Sequence, residues 1–365
     1  MRLIRGRRKH FRQGGSGNGG TNTRSQRVDG RLLDGQGDCE GDRPGFPAPR
    51  KGQTVCLVGE SGSGKSVTSL AIMRLLDFAG GAILEGNVVF RGEDLAFKSQ
   101  EEMTRIRGNQ IAMIFQEPMS SLNPVFTVGD QIAETLMLHQ KMSRSAAMKE
   151  AVELLRLVGI PDPAMRAKQY PHELSGGMCQ RVVIAIALAC KPDLLIADEP
   201  TTALDVTVQA QILELLKRLQ QELGMTILLI THDMGVAAEM ADRIAVMYAG
   251  AIVEEGDAAD IFDRPSHPYT QGLLQSIPGF EGERGTELYT IRGTIPPLSR
   301  LPSGCRFHPR CPHAKDRCAR EEPGSFPIGG DHRVSCWMYE NDGALAVWSE
   351  QLAPVQTGET EGDRT

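Results

Sequence analysis

The sequence has no apolar run long enough to cross a bilayer. Its longest uninterrupted apolar stretch, residues 182–190, is flanked by Arg181 and Lys191 and falls far short of the roughly 20 residues that a membrane-spanning helix needs. A secretory signal is missing too, because the basic residues at positions 2–9 are followed by Gly, Ser and Asn instead of an apolar core. We therefore expect a protein that stays in the cytoplasm and reaches a membrane only through partners.

The chain also lacks a basic excess, since 40 Lys and Arg stand against 46 Asp and Glu and give a formal net charge of −6. Proteins that bind nucleic acid usually carry a positive excess, so we expect no nucleic acid among the partners. The remaining composition, 40% apolar and 24% charged, is that of an ordinary globular protein. Eight cysteines in a cytoplasmic chain do not indicate a disulfide framework.

Periodic apolar patterning is absent from residues 1–50, which are rich in Gly, Lys and Arg and are expected to be disordered. From Gln53 onward, short apolar runs alternate with longer amphipathic segments. The apolar runs lie at 55–58, 111–115, 194–197 and 227–230. Such runs are typical of buried strands and the amphipathic segments of helices with one apolar face. Their alternation predicts an α/β fold built on a largely parallel sheet.

Two features mark the second half of the chain. Residues 243–255, with Ala249 and Gly250 in the middle, predict a closing β-hairpin. After about Arg264 proline and cysteine become frequent and helical patterns weaken, so we expect a separate small module over 264–340, followed by a tail at 341–365 without an informative pattern.

Residues 59–66 read Gly-Glu-Ser-Gly-Ser-Gly-Lys-Ser and match the phosphate-binding pattern G-x-x-x-x-G-K-[ST]. The loop follows the predicted strand 55–58 and opens the helical stretch 67–76, which is the context that the pattern requires. Glycines let backbone N–H groups turn towards phosphate oxygens, and the helix N-terminus adds partial positive charge. Lys65 is expected to reach the β- and γ-phosphates, and the Ser66 hydroxyl to ligate Mg²⁺. The residues that we expect to bind the nucleotide here are Gly59, Ser61, Gly62, Gly64, Lys65 and Ser66.

Two carboxylates follow the apolar run at 194–197. A P-loop fold places an acidic residue at the C-terminal end of such a strand, beside the phosphate loop. Asp198 would then hold the Mg²⁺ shell, and Glu199 would polarise the attacking water. By itself an Asp-Glu pair after a strand is more often a solvated turn, and the complete phosphate loop is what favours the catalytic interpretation.

Residues 170–181 resemble the signature of the ATP-binding cassette (ABC) transporter family. Their core is Leu-Ser-Gly-Gly at 174–177, at the start of an apolar helical stretch whose exposed N–H groups can bind an anion. Three single residues occur in the order that the family shows: Gln116 resembles the Q-loop glutamine, Asp205 the D-loop aspartate and His232 the switch histidine. Each is weak alone, and together they make the resemblance specific.

Within that family the resemblance is narrowest for the ATPase subunits of peptide and nickel importers, on the segments 115–124, 201–211 and 264–270. It implies a P-loop NTPase fold with a small Cys-rich C-terminal extension. The ATPase domain would span 51–263, a RecA-like core plus a helical subdomain at about 118–185. The transported solutes would be di- or oligopeptides, with nickel and other small solutes as alternatives.

The resemblance also implies a mechanism in which two ATPase chains pair head to tail. Each ATP lies between the phosphate loop of one chain and the signature of the other. Glu199 would be the general base, His232 would steady the γ-phosphate, and Gln116 would ligate Mg²⁺ and link the site to the permease contact surface. The signature and D-loop residues assigned in this way are Ser175, Gly176, Gly177 and Asp205.

The implied partners are a second ATPase subunit, identical or homologous, two membrane permease subunits and, indirectly, an extracytoplasmic solute-binding protein. The chain would lie peripherally on the cytoplasmic side of the inner membrane. One family feature is lacking. Members carry an N-terminal strand pair and an aromatic residue that stacks on adenine, whereas no aromatic residue lies between Phe11 and Phe46. The sequence therefore identifies no side chain for adenine stacking.

Four cysteines, Cys305, Cys311, Cys318 and Cys336, are separated by five, six and seventeen residues in the C-terminal extension. Four thiolates in a small module with few core residues favour a bound metal that stabilises the module. Both tetrahedral zinc and a [4Fe–4S] cluster accept four cysteine ligands. The wide spacing is unlike the C-x₂-C pairs of structural zinc sites, and the resemblance to peptide-importer subunits implies the iron–sulfur cluster. Zinc and free thiols remain alternatives.

Two other classes of function compete with the transport ATPase. A soluble ABC protein that acts on nucleic acid or the ribosome commonly carries two cassettes or long coiled coils, and this chain has one cassette and no sustained heptads. A redox or iron sensor built on the cysteine module, with the ATPase regulating it, would show redox-dependent ATP hydrolysis.

Overall fold

A computed structural model describes most of the chain beyond residue 48. The described residues are 30–32 (backbone only), 49–83, 86–202, 204–277 and 289–340. The disorder expected for 1–50 and the tail at 341–365 therefore fall almost entirely outside the described residues. Within 1–50, Gly30–Leu32 form a short strand that the sequence did not predict.

Strands and helices alternate along the described chain. The strands are β1 Gly30–Leu32, β2 Thr54–Val58, β3 Gly86–Phe90, β4 Glu93–Asp94, β5 Ile111–Ile114, β6 Leu194–Asp198, β7 Thr226–Thr231, β8 Arg243–Tyr248, β9 Ala251–Asp257, β10 Phe326–Gly329 and β11 His332–Val334. The α-helices are α1 Lys65–Ile72, α2 Gln100–Ile106, α3 Pro118–Ser121, α4 Val128–Gln140, α5 Arg144–Leu157, α6 Pro163–Arg166, α7 Gly176–Leu188, α8 Val206–Leu223, α9 Met234–Met240, α10 Ala258–Asp263, α11 Pro268–Gln275 and α12 Asp316–Arg320. Among these described helices, none is both long and apolar enough to cross a membrane.

One eight-stranded sheet organises the chain, in the order β10-β11-β9-β8-β2-β7-β6-β5. Neighbours from β8 to β5 run parallel, whereas β9, β11 and β10 are antiparallel to their neighbours. The four predicted apolar runs are β2, β5, β6 and β7, and the predicted hairpin is β8–β9, so the α/β class is confirmed. A second, smaller sheet holds β1, β3 and β4.

Both faces of the large sheet are covered, which explains why its parallel strands are apolar at successive positions. In β2, Val55 and Leu57 enter one core cluster, while Cys56 and Val58 enter the other, and all four are fully buried. The first cluster includes residues of α1, α2 and β3, and the second is filled mainly by α4, α5, α7 and α8. Between β5 and β6 the chain is helical, from α3 to α7.

The C-terminal extension shares the sheet and the core of the preceding residues. Strand β11 pairs with β9, with Val334 opposite Glu254, so the main sheet continues into the extension. Tyr269 and Phe307 are buried in the same core cluster as Tyr248 of β8. The boundary at 264 stays a prediction, and the packing on its two sides is continuous.

Candidate functional site

The loop 59–66 joins β2 to α1, as the phosphate-loop pattern predicted. Its path depends on glycine. A Cβ on Gly59 would lie 2.2 Å from the carbonyl oxygen of Met247, and Gly62 and Gly64 have φ angles of +83° and +107°, which L side chains rarely adopt. The loop therefore takes a path that larger residues at these positions would prevent.

Lys65 closes this loop on itself. Its buried ammonium nitrogen, Nζ, donates to the carbonyl oxygens of Gly59 at 2.7 Å and Glu60 at 3.1 Å. Burial lowers the pKa of Lys65, against the opposing attraction of Glu199, Asp198 and Glu60. A cation held in this position is well placed to bind the phosphates of a nucleotide.

The Ser63 hydroxyl gives a second sign of an anion site. Its oxygen is buried and finds no hydrogen-bond partner among the described residues. A buried hydroxyl without a partner costs free energy, so its presence in a loop needs a reason. Together with the Lys65 ammonium and the glycine turns, Ser63 fits a loop that binds phosphate oxygens.

Asp198 ends β6 beside the first turn of α1. Ser66 Oγ donates to Asp198 Oδ1 over 3.1 Å, and Ser69 Oγ donates to Asp198 Oδ2 over 3.5 Å. Burial raises the pKa of Asp198, and the hydrogen bond from Ser66 opposes that shift. A hydroxyl and a carboxylate held together are hard oxygen ligands of the kind that Mg²⁺ takes, so these residues fit the predicted magnesium site.

Glu199 lies at the centre of a four-residue cluster. Its Oε2 accepts hydrogen bonds from Gln116 Nε2 and Thr202 Oγ1, both at 3.0 Å, and its Oε1 lies 3.1 Å from His232 Nδ1. Burial raises the pKa of Glu199, but the hydrogen bonds from His232 and Thr202 outweigh burial, so the net shift is downward. The carboxylate is therefore kept ionised, as a general base must be.

The backbone of Glu199 is strained. Its φ is +47°, in the left-handed region that non-glycine residues rarely enter. Its N–H donates to the carbonyl oxygen of Ile230 in β7 over 2.9 Å, which helps to hold this conformation. Strained residues fixed by their neighbours cluster at functional sites, and here the strain coincides with the predicted base.

The predicted signature and D-loop residues lie elsewhere on the surface. Ser175 caps α7, and Asp205 caps α8 by accepting from the N–H of Val208 at 3.0 Å. Val208 packs beneath Gly177, where a Cβ would come within 2.9 Å of it. In the part of the chain that the structure describes, no hydrogen bond joins Ser175, Gly176, Gly177 or Asp205 to the phosphate loop.

The four C-terminal cysteines come together. A small cavity is lined by Cys305, Cys311, Cys318 and Cys336, with His267, Phe307 and Trp337 among its other walls. Burial raises the pKa of the Cys311 thiol to about 11 and that of Cys336 to about 12. Across the described residues, however, no three His, Cys, Asp or Glu side chains are grouped as one metal ion requires. This finding supports neither the iron–sulfur cluster nor the zinc alternative, and both stay predictions.

Comparison with known proteins shows to which family the chain belongs. A family model for the ABC transporter matches residues 49–202, and one for the oligopeptide/dipeptide transporter, C-terminal region, matches residues 253–318. The oligopeptide transport ATP-binding protein AppD of Bacillus subtilis (strain 168) is 54% identical over 294 residues, which cover 80% of this chain and 89% of the relative. The chain belongs to the ABC transporter family.

Further matches agree with this assignment. The dipeptide transport ATP-binding protein DppD of Escherichia coli (strain K12) is 52% identical over 287 residues, covering 79% of this chain and 87% of the relative. Among solved structures, the ATP-binding cassette MJ0796, a dimer in a post-hydrolysis state bound to ADP and Pi, matches with a TM-score of 0.51 and 33% identity over 57% of this chain and 87% of that one. The P-loop ABC ATPase fold predicted from the sequence is confirmed, and the chain is an ATPase.

Three features of this ABC ATPase site were not predicted from the sequence. They are the bond from Thr202 to Glu199, the bond from Ser69 to Asp198 and the buried hydroxyl of Ser63. Ser69 lies one helical turn after Ser66, so both side chains lie on one face of α1. This spacing is the sequence signal that could have indicated the hydrogen bond from Ser69 to Asp198. Thr202 lies three residues after Glu199, in a turn whose path the sequence did not reveal.

Gly59→Ala should suppress ATP hydrolysis by this ABC ATPase about 100-fold or more, because displacing a positioning element by about 1 Å can cost that much. The added Cβ would lie 2.2 Å from a backbone oxygen of Met247, so the loop must move. The measurement is steady-state phosphate release by the purified chain. Gly324→Ala is the control, since its Cβ would meet only the Phe326 ring at 3.8 Å. Equal hydrolysis by both variants would show that the loop tolerates the displacement.

Proposed function

We propose that this chain is the ATP-binding and hydrolysing subunit that powers an importer of di- or oligopeptides. The observation that carries the proposal is the Glu199 cluster, a carboxylate kept ionised by Thr202 and His232 at the sheet edge that also bears the phosphate loop. The names of the relatives supply the transported class, since they are oligopeptide and dipeptide transport ATP-binding proteins. Nickel and other small solutes are the alternatives to peptides.

ATP binds in this proposal with its phosphates in the loop 59–66. The Lys65 ammonium exchanges its bonds to the carbonyl oxygens of the loop for bonds to phosphate oxygens, and the Ser63 hydroxyl gains a partner. Ser66 and Asp198 would hold Mg²⁺ with help from Gln116, and the bound ion would neutralise charge on the β- and γ-phosphates.

Glu199 acts as the general base of hydrolysis. It accepts a proton from water while the water oxygen bonds to the γ-phosphorus and the bond from that phosphorus to the leaving oxygen of ADP breaks. His232, 3.1 Å from the carboxylate, keeps the base oriented and is placed to steady the γ-phosphate. The products are ADP and inorganic phosphate.

The signature acts on the nucleotide of a second ATPase subunit. Ser175 and Gly176 are exposed at the start of α7, a 13-residue helix whose N-terminal N–H groups can bind phosphate. Because no described hydrogen bond ties them to the phosphate loop of their own chain, they are free to meet that of a partner. Gly177 and Asp205 complete this surface, and the similar cassette MJ0796 is a dimer.

The ATPase pair lies on the cytoplasmic side of the inner membrane, where it binds two membrane permease subunits. An extracytoplasmic solute-binding protein would deliver the peptide to them. Exposed apolar side chains close in sequence to Gln116, those of Met119, Val125 and Phe126, support a protein contact at this surface. Gln116 would then connect the state of the nucleotide to the permeases, since it also bonds Glu199.

Glu199→Gln should lower turnover by about 10²–10⁴-fold, the usual contribution of a general base, while ATP still binds and holds the subunit pair closed. Phosphate release would measure the first effect, and gel filtration with ATP the second. Glu222→Gln is the matched control, because that carboxylate is 51% exposed on α8 and pairs only loosely with Arg218 at 3.8 Å. Normal hydrolysis by Glu199→Gln would remove this residue from the role of base.

We further propose that the four cysteines hold a [4Fe–4S] cluster with a structural role. The support is that all four line one cavity and that such clusters take four cysteine ligands. A cluster would tie Cys336, which follows β11, to the loops that carry Cys305 and Cys311. Binding of this kind stabilises a small extension that has little core of its own.

Chain purified without oxygen should therefore contain about four iron and four sulfide per molecule, as the cluster requires. Cys311→Ser should lose most of this iron because a ligand is removed. Cys190→Ser should keep it, since Cys190 lies outside the cavity. Stoichiometric zinc without iron, or no metal at all, would contradict the cluster.

A further inference from the structure

The phosphate loop is held by a side chain from the C-terminal extension. Arg310 Nη1 lies 2.6 Å from Glu60 Oε2, and its Nη2 lies 3.0 Å from Glu60 Oε1. The guanidinium therefore donates two parallel hydrogen bonds to the carboxylate. The Arg310 side chain is only 5% exposed and that of Glu60 32%. A bidentate, largely buried pair of this kind is strong and directional.

Arg310 is itself fixed in place. Its Nε donates to the carbonyl oxygen of Arg292 over 2.8 Å, and its guanidinium lies 5.7 Å from the ring centre of Tyr248 and 6.0 Å from that of Phe307. The planar guanidinium therefore has one orientation, with Nη1 and Nη2 directed at Glu60. A flexible surface arginine could not fix the loop in this way.

Two further contacts join the extension to the same loop. The N–H of Glu60 donates to the hydroxyl of Tyr269, in α11, over 2.8 Å. Ile295 lies against Gly62, since a Cβ there would be 3.5 Å from its side chain. The backbone of Glu60 is held by Tyr269, and its carboxylate by Arg310, so the extension fixes one wall of the phosphate loop.

The charge of Glu60 makes this contact necessary. A carboxylate in a loop that binds the phosphates of ATP would repel them, and water screens that repulsion only in part at a side chain that is 32% exposed. Arg310 cancels this charge. We propose that Arg310 is a positioning residue of the ATPase: by holding and neutralising Glu60 it keeps the loop able to bind ATP. The inference rests on the proposed function, in which the loop 59–66 binds the phosphates of ATP.

The test compares three full-length variants by ATP hydrolysis. Arg310→Met keeps an unbranched apolar stem but removes the guanidinium that pairs with Glu60, and should raise the KM for ATP about tenfold with kcat changed less than about twofold. Adding Glu60→Gln to Arg310→Met removes the unpaired charge and should bring the KM back to within about threefold of wild type. Arg317→Met is the control, because Arg317 pairs with Glu340 and Glu321 in the same extension without touching the loop.

Each outcome is decisive. An unchanged KM for Arg310→Met would overturn the proposal, and so would a double variant no better than the single one, since a collapsed extension would not be rescued by a change in the loop. A kcat loss without a change in KM would contradict it as well. Arg310→Lys, which keeps the charge, should be milder than Arg310→Met. Wild-type chain that neither binds nor hydrolyses ATP would instead refute the proposed function.

Discussion

The register of the parallel strands brings the reactive groups of this protein to one place. Strand β2 lies between β7 and β8, with β6 beyond β7, and Val58 pairs with Thr231 while Asp198 pairs with Ile230. The residues that follow these strands, namely the phosphate loop, Glu199 and His232, therefore leave the sheet at nearly the same level. Gln116 joins them from the end of the neighbouring strand β5, since it bonds Glu199. A slip of one residue in any pair would separate these groups and reverse the buried faces of the strand.

A second constraint is charge, because an ATP site must hold acidic catalytic groups beside an anionic substrate. Glu60, Asp198 and Glu199 all lie close enough to Lys65 to attract its ammonium. Each carboxylate has its own hydrogen-bond or ion-pair partners. Arg310 pairs with Glu60, and two serine hydroxyls donate to Asp198. The partners of Glu199 are His232, Gln116 and Thr202. The bound Mg²⁺ of the proposed mechanism would add positive charge beside Asp198. Lys65 and the loop N–H groups are thus left to meet the phosphates.

The parts of the site that the sequence predicted are those that depend on short segments. The loop 59–66, the carboxylates that end β6 and the helix start at Ser175 are each recognisable within about ten residues, and the structure has them as expected. The alternation of strand and helix gave the α/β class for the same reason. Contacts between distant segments were not accessible. Arg310 and Glu60 are 250 residues apart, and nothing in the Pro- and Cys-rich sequence around Arg310 indicates that it meets the phosphate loop.

The extension illustrates the same limit. Strands β10 and β11 are short and carry no clear apolar alternation, so the sequence did not reveal that they continue the main sheet. Pairing with β9 supplies the order that the local pattern does not, and the ring contacts of Tyr269 and Phe307 with Tyr248 join the extension to β8. The segment between Phe11 and Phe46, in which the sequence has no aromatic residue for adenine stacking, lies almost entirely outside the described residues.

The measurement that tests the account most directly is identification of the proteins that co-purify with the tagged chain after gentle solubilisation of membranes from its native host. The account predicts two multi-span permeases and a second ATPase subunit, recovered together with the chain. Recovery of the chain from the soluble fraction alone, with no membrane protein attached, would contradict its role as the ATPase subunit of an importer.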